Sequence, residues 1–164
     1  LPVNLHTDAS VKNKKGRGCV IISKNSQTKG FKSSAGYEEI RLFRTPIMVL
    51  DKTNVSSGSD IDYMELRTII SGVLHAFKLH KNEKYFTIYS DSLNSIDKIN
   101  MPWHEIQTKG LDPLVEKLRD YLSKNDRDIK LRFLHVKAHK GKLESTPSKM
   151  NFVCDLFASL KFKI

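Results

Sequence analysis

Residues 84–100, KYFTIYSDSLNSIDKIN, decide the fold. The first half is rich in aromatic and β-branched residues and ends in the polar turn Ser90-Asp91-Ser92, which reads as a short strand. The second half suits a short helix that stops before Pro102. A strand passing directly into a helix is one unit of an alternating α/β chain, and it sets Asp91 at the carboxyl end of a strand, where open α/β sheets bind ligands.

Upstream, Leu66, Ile69, Ile70, Val73, Leu74 and Phe77 recur at helical spacing and predict a helix from about residue 61. Asp60 or Asp62 can cap it, and Glu65 lies in its first turns beside the apolar stripe. Earlier still, VNLHTDA (3–9) alternates apolar and polar residues, KNKKGRG supplies two glycines, and GCVIIS resumes an apolar run. That pattern predicts a hairpin turning at KKGRG. QTKGFKSSAG (27–36) reads as a third extended segment, and residues 37–60 as a long connection with one short strand at 47–50.

Downstream, Leu111, Leu114, Val115, Leu118, Tyr121 and Leu122 mark another helix, and DIKLRFLHVKAH (128–139) a strand with Leu131, Phe133 and His135 on one face. After the polar loop KGKLESTPSK, a last helix starts near Ser148 with Met150, Val153, Phe157 and Leu160 as its expected buried side. Asn151 and Asp155 are neighbours flanking that stripe. The expected architecture is α/β: a five-stranded mixed sheet, its first three strands antiparallel and the rest parallel, covered by helices on both faces, in a single domain over residues 1–164.

With 39% hydrophobic residues among 164, the chain can bury a core without a disulfide scaffold. Cys19 and Cys154 are far apart, lack metal-knuckle spacing and read as buried thiols. The net charge of +10, from 28 Lys and Arg against 18 Asp and Glu, predicts attraction to a polyanion, nucleic acid above all. Apolar runs such as IMVL and GCVII are too short to span a bilayer, so no membrane role is expected, and the protein reads as intracellular. A start at Leu rather than Met is expected from removal of a tag, a leader or a larger parent chain.

Four acids sit at the ends of four separate elements: Asp8, Glu65, Asp91 and Asp155. Pairing the first strand parallel to the one ending at Ser90 would make Asp8 and Asp91 neighbours. Carboxylates gathered from distant segments repel one another unless a cation lies between them, and oxygen donors without thiolates favour Mg2+ or Mn2+. Two such ions about 3.5–4 Å apart can clamp a phosphodiester during hydrolysis. Zinc is not expected from His135 and His139, which would stand roughly 13 Å apart along a strand. Gly16 and Gly18 are assigned no catalytic role, and the basic residues of 124–149 are placed for backbone contact.

The motifs TDAS (7–10), MEL (64–66), SDS (90–92) and HVKAH (135–139), followed by Asn151 and Asp155, occur in an order that resembles the type 1 ribonuclease H family across residues 5–160. The resemblance implies a metal-dependent endonuclease that cuts the RNA strand of RNA/DNA hybrids and leaves 5′-phosphate and 3′-hydroxyl ends. It assigns Asp8, Glu65, Asp91 and Asp155 to two Mg2+ ions, with Mn2+ as substitute and no small-molecule cofactor. His139 falls on the mobile catalytic histidine, while Ser92, Asn151, Lys137 and Lys140 fall where substrate is contacted. The chain departs from the family pattern at Ala138, at Leu93 and in a reduced basic handle around Trp103, His104 and Lys109. TDAS is similar to retroelement and reverse-transcriptase-linked members, which implies a polymerase partner and a place in the cell or in a viral or retroelement particle. A non-catalytic nucleic-acid-binding or scaffold domain, or a DNA nuclease of the wider fold, is the alternative.

Overall fold

The computed structural model describes residues 2–25, 37–50, 60–100, 112–124, 128–136 and 146–159. Strands β1 (Val3–Lys12) and β2 (Lys15–Asn25) pair antiparallel, from Val3 opposite Lys24 to Lys12 opposite Lys15. Between them lie Asn13 and Lys14, with φ of 49° and 61°. A two-residue turn with positive φ at both positions matches the twist of its strands, and Asn tolerates that backbone. The hairpin therefore exists but turns at Asn13-Lys14, not at the expected KKGRG glycines.

Those glycines have a packing role. Both lie inside β2 and face helix α1 (Asp60–Leu79), where a Cβ on Gly16 would stand 2.5 Å from Met64 Cγ and one on Gly18 2.5 Å from Thr68 Cγ2. Thr68 is itself held by its hydroxyl, which donates to the Met64 carbonyl at 2.6 Å. Without side chains at 16 and 18, the first turns of α1 can lie directly on the strand.

Residues 37–50 correct the first part of the expected long connection, and 51–59 lie outside the described residues. Tyr37–Arg44 forms strand β3, antiparallel to β2, and Met48–Val49 forms the short strand β4, which pairs with Lys15 and Gly16. The third antiparallel strand is thus placed later than expected, and the proposed segment 27–36 lies outside the described residues. Its sequence, YEEIRLFR, lacks clean alternation for two reasons. β3 is an edge strand that leaves Ile40 47% and Leu42 39% exposed. Its pairing also shifts between Ile22 and Lys24, where Glu39 takes a φ of 53°.

Strand β5 (Tyr85–Ser90) runs parallel to β1, and β6 (Lys130–His135) parallel to β5. The sheet has the order β3-β2-β1-β5-β6, with β4 on β2 as a sixth strand. Helices α2 (Leu93–Asn100), α3 (Asp112–Lys124) and α4 (Thr146–Ser159) complete the described elements.

Alternation along β2 separates two cores. Val20 and Ile22 join Leu5, Ile69, Val73, Phe77, Phe86 and Ile88 under α1, whereas Cys19 and Ile21 meet Cys154 and Ala158 of α4 on the opposite face. Phe77 bridges the larger core, edge-on to Phe86 and stacked on Tyr121 of α3, each at 5.0 Å. Helices on both faces of a mixed sheet are as expected. The buried side of α4 is not: Asn151, Cys154 and Ala158 are covered, Met150 and Val153 are half-buried, and Phe157 remains 36% exposed. Small residues let α4 approach the sheet, and its larger apolar side chains flank the contact. Leu160 lies outside the described residues.

Gly18→Ala should lower stability by about 1–3 kcal/mol, because its methyl group meets the fixed Thr68 side chain. Gly72→Ala, whose Cβ would be 3.1 Å from the Val20 methyl groups and which gains helix propensity, should cost less. Urea unfolding of both variants checks this, and equal costs would contradict the close-approach role of Gly18.

Candidate metal centre

The parallel register of β1 and β5 sets His6 beside Tyr89. Asp8 and Asp91 each follow two residues later, so the ladder brings both acids to the same end of the sheet. Thr7 adds a link across this end, its hydroxyl donating to the Tyr89 carbonyl at 3.4 Å. Asp91 lies just past β5 in the bend before α2. There Ser90 Oγ accepts from the Ser92 N–H at 3.1 Å, and Ser92 Oγ accepts from the Ser95 N–H at 3.3 Å. Ser92 is thus the N-cap of α2, which fixes the junction carrying Asp91.

Glu65 arrives from the second turn of α1. Asp8 and Glu65 are only 4% and 5% exposed, and Asp91 is half-buried. Each of the three offers an oxygen within 4.8 Å of those of the other two. Asp8 Oδ1 accepts the Ala9 N–H at 2.9 Å, but Glu65 Oε2 is buried with no hydrogen-bond partner among the described residues.

The electrostatics show the cost of this gathering. Burial, then the Asp91 carboxylate, raise Asp8 to about 8, against a smaller opposing hydrogen bond from Glu65. Burial and then Asp8 push Glu65 well above the usual carboxylate range. Burial and then Asp155 raise Asp91. A divalent cation would reverse all three effects, and an orphaned buried oxygen among three hard donors fits Mg2+ or Mn2+.

The four expected acids do not stand equally. Asp155 is on the exposed side of α4, outside the close triad, yet near enough for its charge to raise both Asp8 and Asp91. Asn151, one turn earlier, is buried, and its amide donates to the Thr7 carbonyl at 3.5 Å, pinning α4 beside the site. His139, Lys137 and Lys140 lie outside the described residues. His135 is a residue the motif reading had not used for positioning: its Nε2 donates to the Asp91 carbonyl at 3.2 Å. The only sequence signal was its place at the end of the β6 alternation, one strand away from Asp91.

A mixed sheet with this strand order and a carboxylate triad at the end of its central parallel pair defines a ribonuclease H-like domain. The RNase H family profile matches residues 2–163, so the chain belongs to the RNase H family. Among solved structures, the prototype foamy virus protease-reverse transcriptase superposes with a TM-score of 0.61 at 15% identity over 95% of this chain. The chain spans only 20% of that protein's length. LC11-RNase H1, solved in complex with RNA/DNA hybrid, matches at TM-score 0.56 and 9% identity, covering 93% of this chain and 91% of its own. The N-terminal RNase H domain of a Mycobacterium tuberculosis protein, solved as a fusion with maltose-binding protein, gives 0.53 and 12%, covering 83% and 82%. At these identities the likeness is one of fold. No curated protein sequence matches the chain.

The raised acids fix a sign for pH dependence. Between the ordinary carboxylate range and about pH 8 the folded chain keeps a proton on Asp8 that the unfolded chain has released, and Glu65, pushed above that range by burial, acts in the same direction. Through these acids, stability without divalent ions falls as pH rises across that window, opposed below about pH 6.5 by buried His6, whose imidazole is lowered to about 3 by desolvation. Thermal unfolding in EDTA should show a lower midpoint at pH 8 than at pH 5, and 10 mM-scale Mg2+ should raise it by at least about 3 °C at pH 8 and much less at pH 5. Asp8→Asn should flatten part of this slope, leaving the share that burial of Glu65 contributes. A midpoint that climbs from pH 5 to 8 in EDTA would contradict the buried-acid assignment.

Proposed function

We propose that this domain hydrolyses the RNA strand of RNA/DNA hybrids by a two-metal-ion reaction, leaving 5′-phosphate and 3′-hydroxyl ends, with Mg2+ as the working ion and Mn2+ as substitute. The observation that carries the reading is the convergence of Asp8, Glu65 and Asp91 from three elements to within 4.8 Å of one another. Membership of the RNase H family supports it, as does the fold shared with LC11-RNase H1, a protein solved on a hybrid.

Asp8, Glu65 and Asp91 would hold the ions, with Asp155 at the rim. Held by these carboxylates, divalent ions would supply Lewis-acid activation of water and charge neutralisation at the leaving oxygen. The chain's own residues prepare the site. Ser92 and His135 fix the Asp91 backbone, Asn151 anchors α4 against β1, and burial of Asp8 and Glu65 excludes competing water. His139 acts in water activation or product release. Ser92, Lys137 and Lys140 contact the nucleic acid, with buried Asn151 acting through its hold on β1, and the net charge of +10 draws in the polyanion.

The domain works as a single unit over residues 1–164 in association with a polymerase, inside the cell or in a viral or retroelement particle. Its match to a fifth of a protease-reverse transcriptase is the support for that setting.

Labelled RNA/DNA hybrid, double-stranded RNA and double-stranded DNA, each with Mg2+, Mn2+ or EDTA, test the proposal. Hybrid RNA should be cut only with a divalent ion, and Asp91→Asn should slow cleavage by more than about a hundredfold, beyond the loss typical of outer partners of a metal site. Binding should weaken steeply with salt. Folded protein that binds hybrid but cuts nothing would instead establish a non-catalytic binding domain, and preferential cutting of duplex DNA a DNA nuclease.

A further inference from the structure

Opposite the main core, two thiols from remote parts of the chain meet in a small sealed cluster. Cys19 of β2 and Cys154 of α4 are both 0% exposed and pack together with Ile21 and Ala158. The two belong to one four-residue buried cluster in which β2 and α4 each contribute a cysteine, and Cys154 Sγ donates to the His6 carbonyl at 3.1 Å, on the strand next to Cys19. Either cysteine alone would be an ordinary small core residue. Two cysteines from separate elements packed into one small cluster are what a bond between β2 and α4 would need first.

We propose that Cys19 and Cys154 form a reversible disulfide that staples α4 to β2. Hydrogen peroxide is the class of oxidant considered, small and neutral enough to enter when α4 loosens. One thiol sulfur attacks a peroxide oxygen, the O–O bond breaks, and a sulfenic acid forms as water leaves. The second thiol then attacks the sulfenic sulfur, the S–S bond forms, and another water leaves. The two thiols lose two electrons and two protons, and the peroxide is reduced to two waters.

The position gives the bond a consequence. Cys19 lies opposite Asp8 in the β1–β2 ladder, and Cys154 immediately precedes Asp155. A bond between them ties the helix bearing Asp155 to the strand beside Asp8. Full burial means that oxidation must await local opening of α4, so the staple closes slowly and, once closed, resists that opening.

The test separates equilibrium from access. Protein unfolded in urea and reduced is refolded into glutathione redox buffers of graded ratio, then acid-quenched. Folded chains should hold an intramolecular disulfide with an equilibrium constant at least about a thousandfold above that of chains kept in urea. Peptide mapping should link Cys19 to Cys154 with a mass loss of about 2 Da. The oxidised protein should melt several degrees above the same sample after dithiothreitol. In Cys154→Ser and Cys19→Ser neither the link nor the dithiothreitol-sensitive shift should occur. An equilibrium constant no larger in the folded than in the unfolded chain would overturn the proposal. So would single glutathione adducts or intermolecular dimers in place of the 19–154 link.

Discussion

The parallel pairing of β1 with β5 is the interaction on which the rest depends. Its register, which ends at His6 beside Tyr89, carries Asp8 and Asp91 to the same level two residues further on. The strands do not pair because of those acids, which repel each other and resist burial. They pair because Val3, Leu5, Phe86 and Ile88 on the same strands are fully covered by α1 and its neighbours. Apolar burial of about 1.5–3 kcal/mol per large side chain is the reservoir that lets a locally unfavourable carboxylate group exist at the strand ends.

The second requirement is proximity of α1. Glu65 reaches the other acids because its helix lies close on β2, and that closeness rests on hydrogen atoms standing where side chains would be at Gly16 and Gly18. On the other face, α4 approaches through Asn151, Cys154 and Ala158, a polar or small residue at each contact. One site is thus assembled by two different packing solutions. A large α1 interface supplies the buried acid, and a lighter α4 interface leaves Asp155 facing solvent. That contrast explains why three carboxylates form a tight set and the fourth acts from the rim.

Much of this was legible in the sequence where one physical rule dominated. The helical stripe from Leu66 to Phe77 has one buried side, so periodicity found it, and the strand-to-helix turn at Asp91 announced itself by composition. Reading failed where two rules competed. β3 is charged, edge-exposed and bulged, so neither alternation nor burial marked it. The glycines in KKGRG looked like a turn because glycine signals both turning and close packing, while Asn13-Lys14 had the backbone that turned. In α4, apolar size suggested Phe157 as the buried side, but proximity to the sheet favoured Cys154 and Ala158. The four acids were legible from their places at the ends of separate elements, and motif order agreed; that three of them close into a triad while Asp155 stays outside it was not. The long-range bonds from His135 to Asp91 and from Asn151 to Thr7 had no local signature, because each partner is identified only after the strands are aligned.

The irregularity in β3 has an effect beyond its own pairing. An outermost strand with Ile40 and Leu42 showing would ordinarily invite a neighbour's backbone to continue the ladder. The extra residue at Glu39 throws the peptide groups out of step partway along, and its carboxylate is paired back to Lys24 of β2 at 3.7 Å. A greasy margin is in this way kept from templating fibrous stacking.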